Sequence, residues 1–225
     1  PRAPALVPAE LACVVELETD DGAGSGTLVS ADGWILTNAH VVPKGDRDKP
    51  IKVIVSGRTF KATYLEGSEV QVLGPDKIKV LGPDLCTLSI DAQLGYVEIA
   101  DDAPPIGGQI WQFGYGGSQF DQGPSTKYGL VGKGTFVEPT MVTTLDVVSG
   151  DSGSGLFNQY GELCGVTWGA DEDRDAYGRL VKKEHLAVEI TTVRTFLGRP
   201  LLARLFPRLA ARAAAKRAAR EAAKY

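Results

Sequence analysis

Val148-Ser149-Gly150-Asp151-Ser152-Gly153-Ser154-Gly155-Leu156-Phe157 is the stretch on which the reading of this chain turns. One serine, Ser152, stands between an acid and a glycine in a run with three glycines, directly ahead of an apolar strand. Glycine at that density lets a backbone turn tightly and expose its N–H groups. A serine on such a turn is held outward for attack, but a free hydroxyl is a weak nucleophile and needs a base. The chain offers two histidines. His40 lies in Leu36-Thr37-Asn38-Ala39-His40-Val41-Val42, at the end of a hairpin expected to turn at Ala31-Asp32-Gly33. His185 lies in Glu184-His185-Leu186-Ala187-Val188, a strand with no catalytic signature, and is read as structural. Between His40 and Ser152 runs an acid-first apolar strand, Asp84-Leu85-Cys86-Thr87-Leu88-Ser89-Ile90.

The order His, Asp, Ser along the chain is that of chymotrypsin-like enzymes. Thr37-Asn38-Ala39-His40 resembles the Thr-Ala-Ala-His box of that family, and Gly150-Asp151-Ser152-Gly153-Ser154 resembles its Gly-Asp-Ser-Gly-Gly box. Gly165-Val166-Thr167-Trp168-Gly169 resembles its Val-Ser-Trp-Gly strand. The resemblance covers roughly residues 11–197. It is closer to compact, disulfide-free bacterial and viral members, including glutamyl endopeptidases and high-temperature-requirement proteases, than to animal digestive enzymes.

The resemblance implies an all-β fold of two six-stranded antiparallel β-barrels and the activity of a serine endopeptidase acting on protein or peptide substrates. It implies Ser152 as nucleophile, His40 as general base and Asp84 as the carboxylate that orients His40. Asp76 shares the duplicated Val-Leu-Gly-Pro-Asp with Asp84 but is followed by Lys77-Ile78-Lys79 rather than by an alternating strand. The N–H groups of Gly150 and Ser152 are the expected oxyanion hole. Thr167, Trp168 and Gly169 are expected to pair with the substrate backbone. Asp146, six residues before Ser152, matches the acid of the trypsin specificity pocket and implies cleavage after Arg or Lys. A glutamyl preference fits less well, because those enzymes carry His where Thr167 stands. Asp151 matches the acid that pairs with a new N-terminus in activated trypsins. Pro1-Arg2 does not resemble that end, so another cation pairs with Asp151 or it stays hydrated. The chemistry requires no metal or organic cofactor. The alternative is a catalytically idle version of the fold that acts as a peptide-binding module.

The bulk numbers fit this reading. The 225 residues suit one two-barrel domain or two small ones, and 43% hydrophobic residues suffice for a sizeable core. The 27 glycines and 13 prolines suit many short strands joined by tight turns. Residues 1–10 read as an extended lead-in, 11–100 as a first barrel carrying His40 and Asp84, and 101–108 as a linker. Residues 109–198 read as a second barrel with a closing helix.

Residues 199–225 carry eight Lys or Arg and one Glu, a balance of +7; the preceding 198 residues hold 16 basic and 27 acidic side chains, a balance of −11. The alanine-rich basic tail reads as an α-helix that is solvated or docks a partner protein; contact with an anionic surface, or a connection to a further domain, stays open. Cys13, Cys86 and Cys164 are odd in number and lack metal-ligand spacing. The cystine that braces the histidine loop of animal enzymes is missing, since Val41 follows His40. Without a disulfide pattern or a visible signal peptide, a cytoplasmic home is favoured and secretion is left open. No apolar run reaches the ~18 residues of a membrane-spanning helix.

Overall fold

The computed structural model of the protein describes residues 12–68, 71–72, 78–79, 83–117, 123–133, 140–174 and 180–198. Alternation of apolar and polar residues builds the first half. In β4 (Ile51–Val55), for example, Ile51, Val53 and Val55 are buried and Lys52 is exposed. That strand joins β1 (Val14–Thr19), β2 (Gly22–Leu28), β3 (Trp34–Thr37), β5 (Arg58–Ser68) and β8 (Leu85–Ile90). They close a barrel in the order β1-β2-β3-β8-β5-β4. A two-stranded ribbon of β6 (Gln71–Val72) and β7 (Ile78–Lys79) lies outside it. Ser56 and Gly57, with φ 48° and 75°, turn β4 into β5; two consecutive left-handed residues match the twist of a tight hairpin.

The second half is a six-stranded antiparallel sheet ordered β10-β9-β12-β13-β14-β11. Its strands are β9 (Gln109–Gly114), β10 (Ser125–Leu130), β11 (Thr140–Thr143), β12 (Gly155–Phe157), β13 (Leu163–Arg174) and β14 (Leu180–Glu189). Among the described residues, the two edges meet at a bridge between Val131 and Thr143. The Gly132 N–H donates to the Val142 carbonyl (2.8 Å) and the Thr144 N–H to the Leu130 carbonyl (3.0 Å) beside it. The fold is thus mostly β, with one closed six-stranded barrel, one six-stranded half-barrel, and a helix, α1 (Ile190–Leu197). That helix buries Ile190, Val193, Phe196 and Leu197. Its Arg194 guanidinium grips the Ala100 carbonyl (3.0 Å) and Asp101 (2.8 Å), tying the helix to the segment between the halves.

Two elements differ from the sequence expectation. The apolar pattern predicts a strand over 129–137; β10 begins earlier and runs over Ser125–Leu130, paired residue for residue with β9, while 134–137 lie outside the described residues. The acidic stretch from Asp171 reads as a loop in sequence, yet Asp171 to Arg174 continue β13. The backbone ladder to β14, Asp171 opposite Glu184 and Glu172 opposite Lys183, supplies what a charged sequence without apolar period cannot signal. The lead-in, Asp76 and the basic tail lie outside the described residues.

Candidate active site

His40 stands in a short 3-10 turn (Ala39–Val41) at the end of β3. Asp84, just ahead of β8, holds that turn from four points. Its carbonyl accepts the Asn38 side-chain amide (3.0 Å) and the Ala39 N–H (3.1 Å). Its carboxylate accepts the His40 N–H at Oδ1 (3.0 Å) and His40 Nδ1 at Oδ2 (2.5 Å). With Nδ1–H committed to the carboxylate, Nε2 of the neutral ring keeps its lone pair and can take a proton. Asp84 sits in the left-handed region at φ 50°, which few residues other than Gly, Asn and Asp adopt readily. The Asp84 side chain is 4% exposed and that of His40 46%, so the acid is sealed and the ring faces the cleft.

Arg47 braces the same turn. Its guanidinium donates to the carbonyls of Val42 (3.2 Å) and Ala39 (3.4 Å) and stacks 4.8 Å over the Tyr64 ring.

Ser152 follows Gly150 (φ 93°) and precedes Gly153 (φ 85°). A Cβ on Gly153 would overlap the Ser25 carbonyl and the Thr37 hydroxyl, so only glycine lets the turn lie against the first barrel. The Asp151, Gly153 and Ser154 N–H groups are spent on the carbonyls of Val148 (3.1 Å), Thr167 (3.0 Å) and Asp151 (2.9 Å). The N–H groups of Gly150 and Ser152 donate to no described residue. Ser152 Oγ donates to the Trp168 carbonyl (3.2 Å); it makes no hydrogen bond to His40 among the described residues. His40 and Asp84 are therefore joined, and the Ser152 hydroxyl is turned to the Trp168 carbonyl of β13.

Asp151 is fully buried and its carboxylate receives the Val148 N–H (2.8 Å) and the Lys127 ammonium. Lys127 Nζ also donates to the Asp146 carbonyl (2.8 Å). A cation from β10 thus stands where the sequence left the partner of Asp151 open.

The Thr167 N–H donates to the Ser154 carbonyl (2.8 Å) and its carbonyl accepts the Gly153 N–H (3.0 Å), so its backbone is engaged by the Ser152 turn. The register shift between Thr167 and Gly169 leaves Trp168 at a bulge, with its carbonyl accepting the Ser152 hydroxyl. Asp146 is exposed, not enclosed at the floor of a slot. His185 accepts the Val147 N–H at Nδ1 (3.1 Å). Burial, chiefly, and the charge of Lys183 hold its imidazole below the ordinary histidine value.

Three contributors escaped the sequence reading: Ser25, Lys127 and Arg47. Ser25 had one signal, its place between two glycines in a strand, which marks a close backbone approach. The other two look like ordinary surface cations.

Comparison with known proteins adds the following. A family model described as Trypsin-like peptidase domain matches residues 24–166. "Serine endoprotease DegS" of Escherichia coli K12 is 31% identical over 164 residues, covering 68% of this chain and 41% of DegS. "Probable periplasmic serine endoprotease DegP-like" of Pseudomonas putida F1 is 32% identical over 151 residues, covering 64% of this chain and 28% of the relative. The chain therefore spans less than half the length of these relatives. Among solved structures, a serine endoprotease from Yersinia pestis superposes with TM-score 0.67 at 23% identity over 90% of this chain and 67% of that chain. The active form of the Rv3671c protease of M. tuberculosis gives TM-score 0.67 at 20% identity over 87% and 83%.

The name of the Pseudomonas putida relative overturns the cytoplasmic assignment. The physical reason is visible in the cysteines. All three are buried, and burial pushes the Cys86 and Cys164 thiols up to about 12, so they are inert in either redox compartment and report on neither.

Proposed function

This chain belongs to the family of trypsin-like peptidase domains, and from that premise we propose that it is a serine endopeptidase working through Ser152, His40 and Asp84. The observation that carries the reading is the double grip of Asp84 on His40, with Nδ1 at 2.5 Å and the backbone N–H at 3.0 Å. It fixes the tautomer and orientation a general base needs.

The reaction starts with a rotation. A substrate N–H that donates to the Trp168 carbonyl displaces the Ser152 hydroxyl, which turns toward His40 Nε2. Ser152 Oγ attacks the peptide carbonyl carbon and its proton passes to Nε2. The oxyanion receives the N–H groups of Gly150 and Ser152, donors each worth on the order of 10²–10³ in rate at comparable sites. Collapse expels the amine, which takes the proton from Nε2 and leaves an acyl-Ser152 ester. Water then attacks the ester, giving its proton to Nε2, and the second collapse returns that proton to Ser152 Oγ. Substrates are proteins or peptides, held by Trp168 and Gly169 through backbone hydrogen bonds that tolerate many sequences. Asp146 supports a preference for Arg or Lys before the cleaved bond. Its exposure and the Lys127 cation on its own carbonyl count against that finer point.

The second reading, a peptide-binding module, draws on one observation: Ser152 Oγ faces Trp168 and not His40. Cleavage of a peptide library decides both matters. We expect wild type to cut, Ser152→Ala to be inert, and Asp146→Ala to lose any bias for basic residues. Wild type that binds peptides without cutting them would establish the module. Equal cleavage profiles for wild type and Asp146→Ala would remove Asp146 from the specificity pocket.

A further inference from the structure

Ser25, in β2, is fully buried, and its N–H and hydroxyl cross from the first barrel to the second half. Its N–H donates to the Ser152 carbonyl (2.9 Å) and its hydroxyl to the Gly150 carbonyl (2.7 Å). The same hydroxyl accepts the Tyr115 N–H (2.8 Å), just past the end of β9. Its carbonyl accepts the Thr37 hydroxyl (2.7 Å), three residues before His40. A residue with one hydroxyl and one peptide unit thus touches the serine turn twice, the second half-barrel once and the histidine strand once.

The consequence follows from peptide planarity. The Gly150–Asp151 peptide is fixed at both ends, its carbonyl by Ser25 Oγ and its N–H by Val148. The Ser152–Gly153 peptide is likewise fixed, its carbonyl by the Ser25 N–H and its N–H by Thr167. The peptides carrying the Gly150 and Ser152 N–H groups alternate with these two. The carbonyls of those same peptides, Ser149 and Asp151, accept the Gly117 (2.8 Å) and Ser154 (2.9 Å) N–H groups from within the second half, and the two Ser25 bonds lock the planes between them from the first barrel, so together they set where the two N–H vectors point.

We propose that Ser25 is a positioning residue that aims the Gly150 and Ser152 N–H groups at the oxyanion and sets their distance from His40. The proposal rests on the endopeptidase reading. It predicts an effect on the transition state and little effect on ground-state binding, because Ser25 is sealed from any substrate.

The test is Ser25→Ala, which fits the same space, read by steady-state kinetics on a peptide substrate and by the rate of fluorophosphonate labelling at Ser152. Removing one oxyanion donor costs on the order of 10²–10³, and misaiming two costs part of that. We expect kcat to fall about tenfold or more, KM to stay within about twofold, and the labelling rate to fall with kcat. Should Ser25→Ala not fold, Thr37→Val removes the bond to the Ser25 carbonyl from below and is expected to lower kcat a few-fold at unchanged KM. A folded Ser25→Ala, or failing that a folded Thr37→Val, with wild-type kcat and labelling rate overturns the proposal. So does a loss carried by KM alone. Wild type that takes no label overturns the endopeptidase reading, and this proposal with it; a labelled wild type beside an equally labelled variant overturns this proposal alone.

Discussion

Asp151 shows how a single residue ties stability to catalysis. Its carboxylate is fully buried, one position before the proposed nucleophile Ser152, and the Lys127 ammonium and the Val148 N–H meet it. Removing one member of such a pair strands the other in a poorly solvated site. For Lys127→Met we expect a destabilisation of about 3 kcal/mol and a marked fall in kcat, since the turn must move to hydrate Asp151. Lys127→Arg should keep most of both. Adding Asp151→Asn to Lys127→Met should recover stability, and a double-mutant cycle by chemical denaturation measures that coupling. Additive losses would show that the two residues act independently. Gly153 carries a second expectation at this scale. Gly153→Ala drives a methyl into the Ser25 carbonyl and the Thr37 hydroxyl at φ 85° and should cost several kcal/mol of stability, or abolish activity in whatever still folds.

At the scale of elements, β14 reports on the segment leading to the serine. The neutral His185 ring accepts the Val147 N–H, and its protonated form would set a donor against a donor. The groups around it are Lys183 on its own strand, Lys127 on β10, and Asp146 and Asp151 on the turn segment. Its value in the folded chain is lowered, so the unfolded chain binds the proton first. Stability from this contact is complete above the unfolded value, about 6.5, and is lost as pH falls from there through the lowered folded value. Amide exchange at Val147 should accelerate over that window and become pH-flat, after correction for intrinsic rates, in His185→Gln. Unchanged protection below pH 6 would refute it.

These elements also explain what could be read in advance. The serine turn, the Asn38-Ala39-His40 box and the strand after Asp84 are local patterns, each written within about ten residues. The partners that hold them in place are not local. Lys127 meets Asp151 across 24 residues and Ser25 meets Gly150 across 125, by way of strand registers that no short window encodes. The engagement of the Thr167 backbone by the Ser152 turn is hidden for the same reason: which groups of a strand are taken depends on the bulge at Trp168.

The whole molecule joins a closed barrel to a half-barrel, with the histidine and aspartate on the first and the serine on the second. The proposed activity then depends on the seam, which Ser25 crosses and which Arg194 braces at its flank. Charge is divided as well, with +7 on residues 199–225 against −11 on the rest. Anionic vesicles separate the readings of the tail: if it is solvated or docks a partner protein, the full chain and a chain ending at Gly198 behave alike, whereas contact with an anionic surface retains the full chain alone at low salt, with the difference erased as salt rises. Equal behaviour of the two chains would detach the tail from any anionic surface.

The central claim is that three side chains from two halves act as one nucleophilic unit. Mapping a fluorophosphonate adduct by mass spectrometry tests it most directly. The account predicts one adduct, on Ser152, absent in His40→Ala and formed about 10⁴-fold more slowly in Asp84→Asn. An adduct on another residue, or labelling of Ser152 at an unchanged rate in His40→Ala, would contradict it.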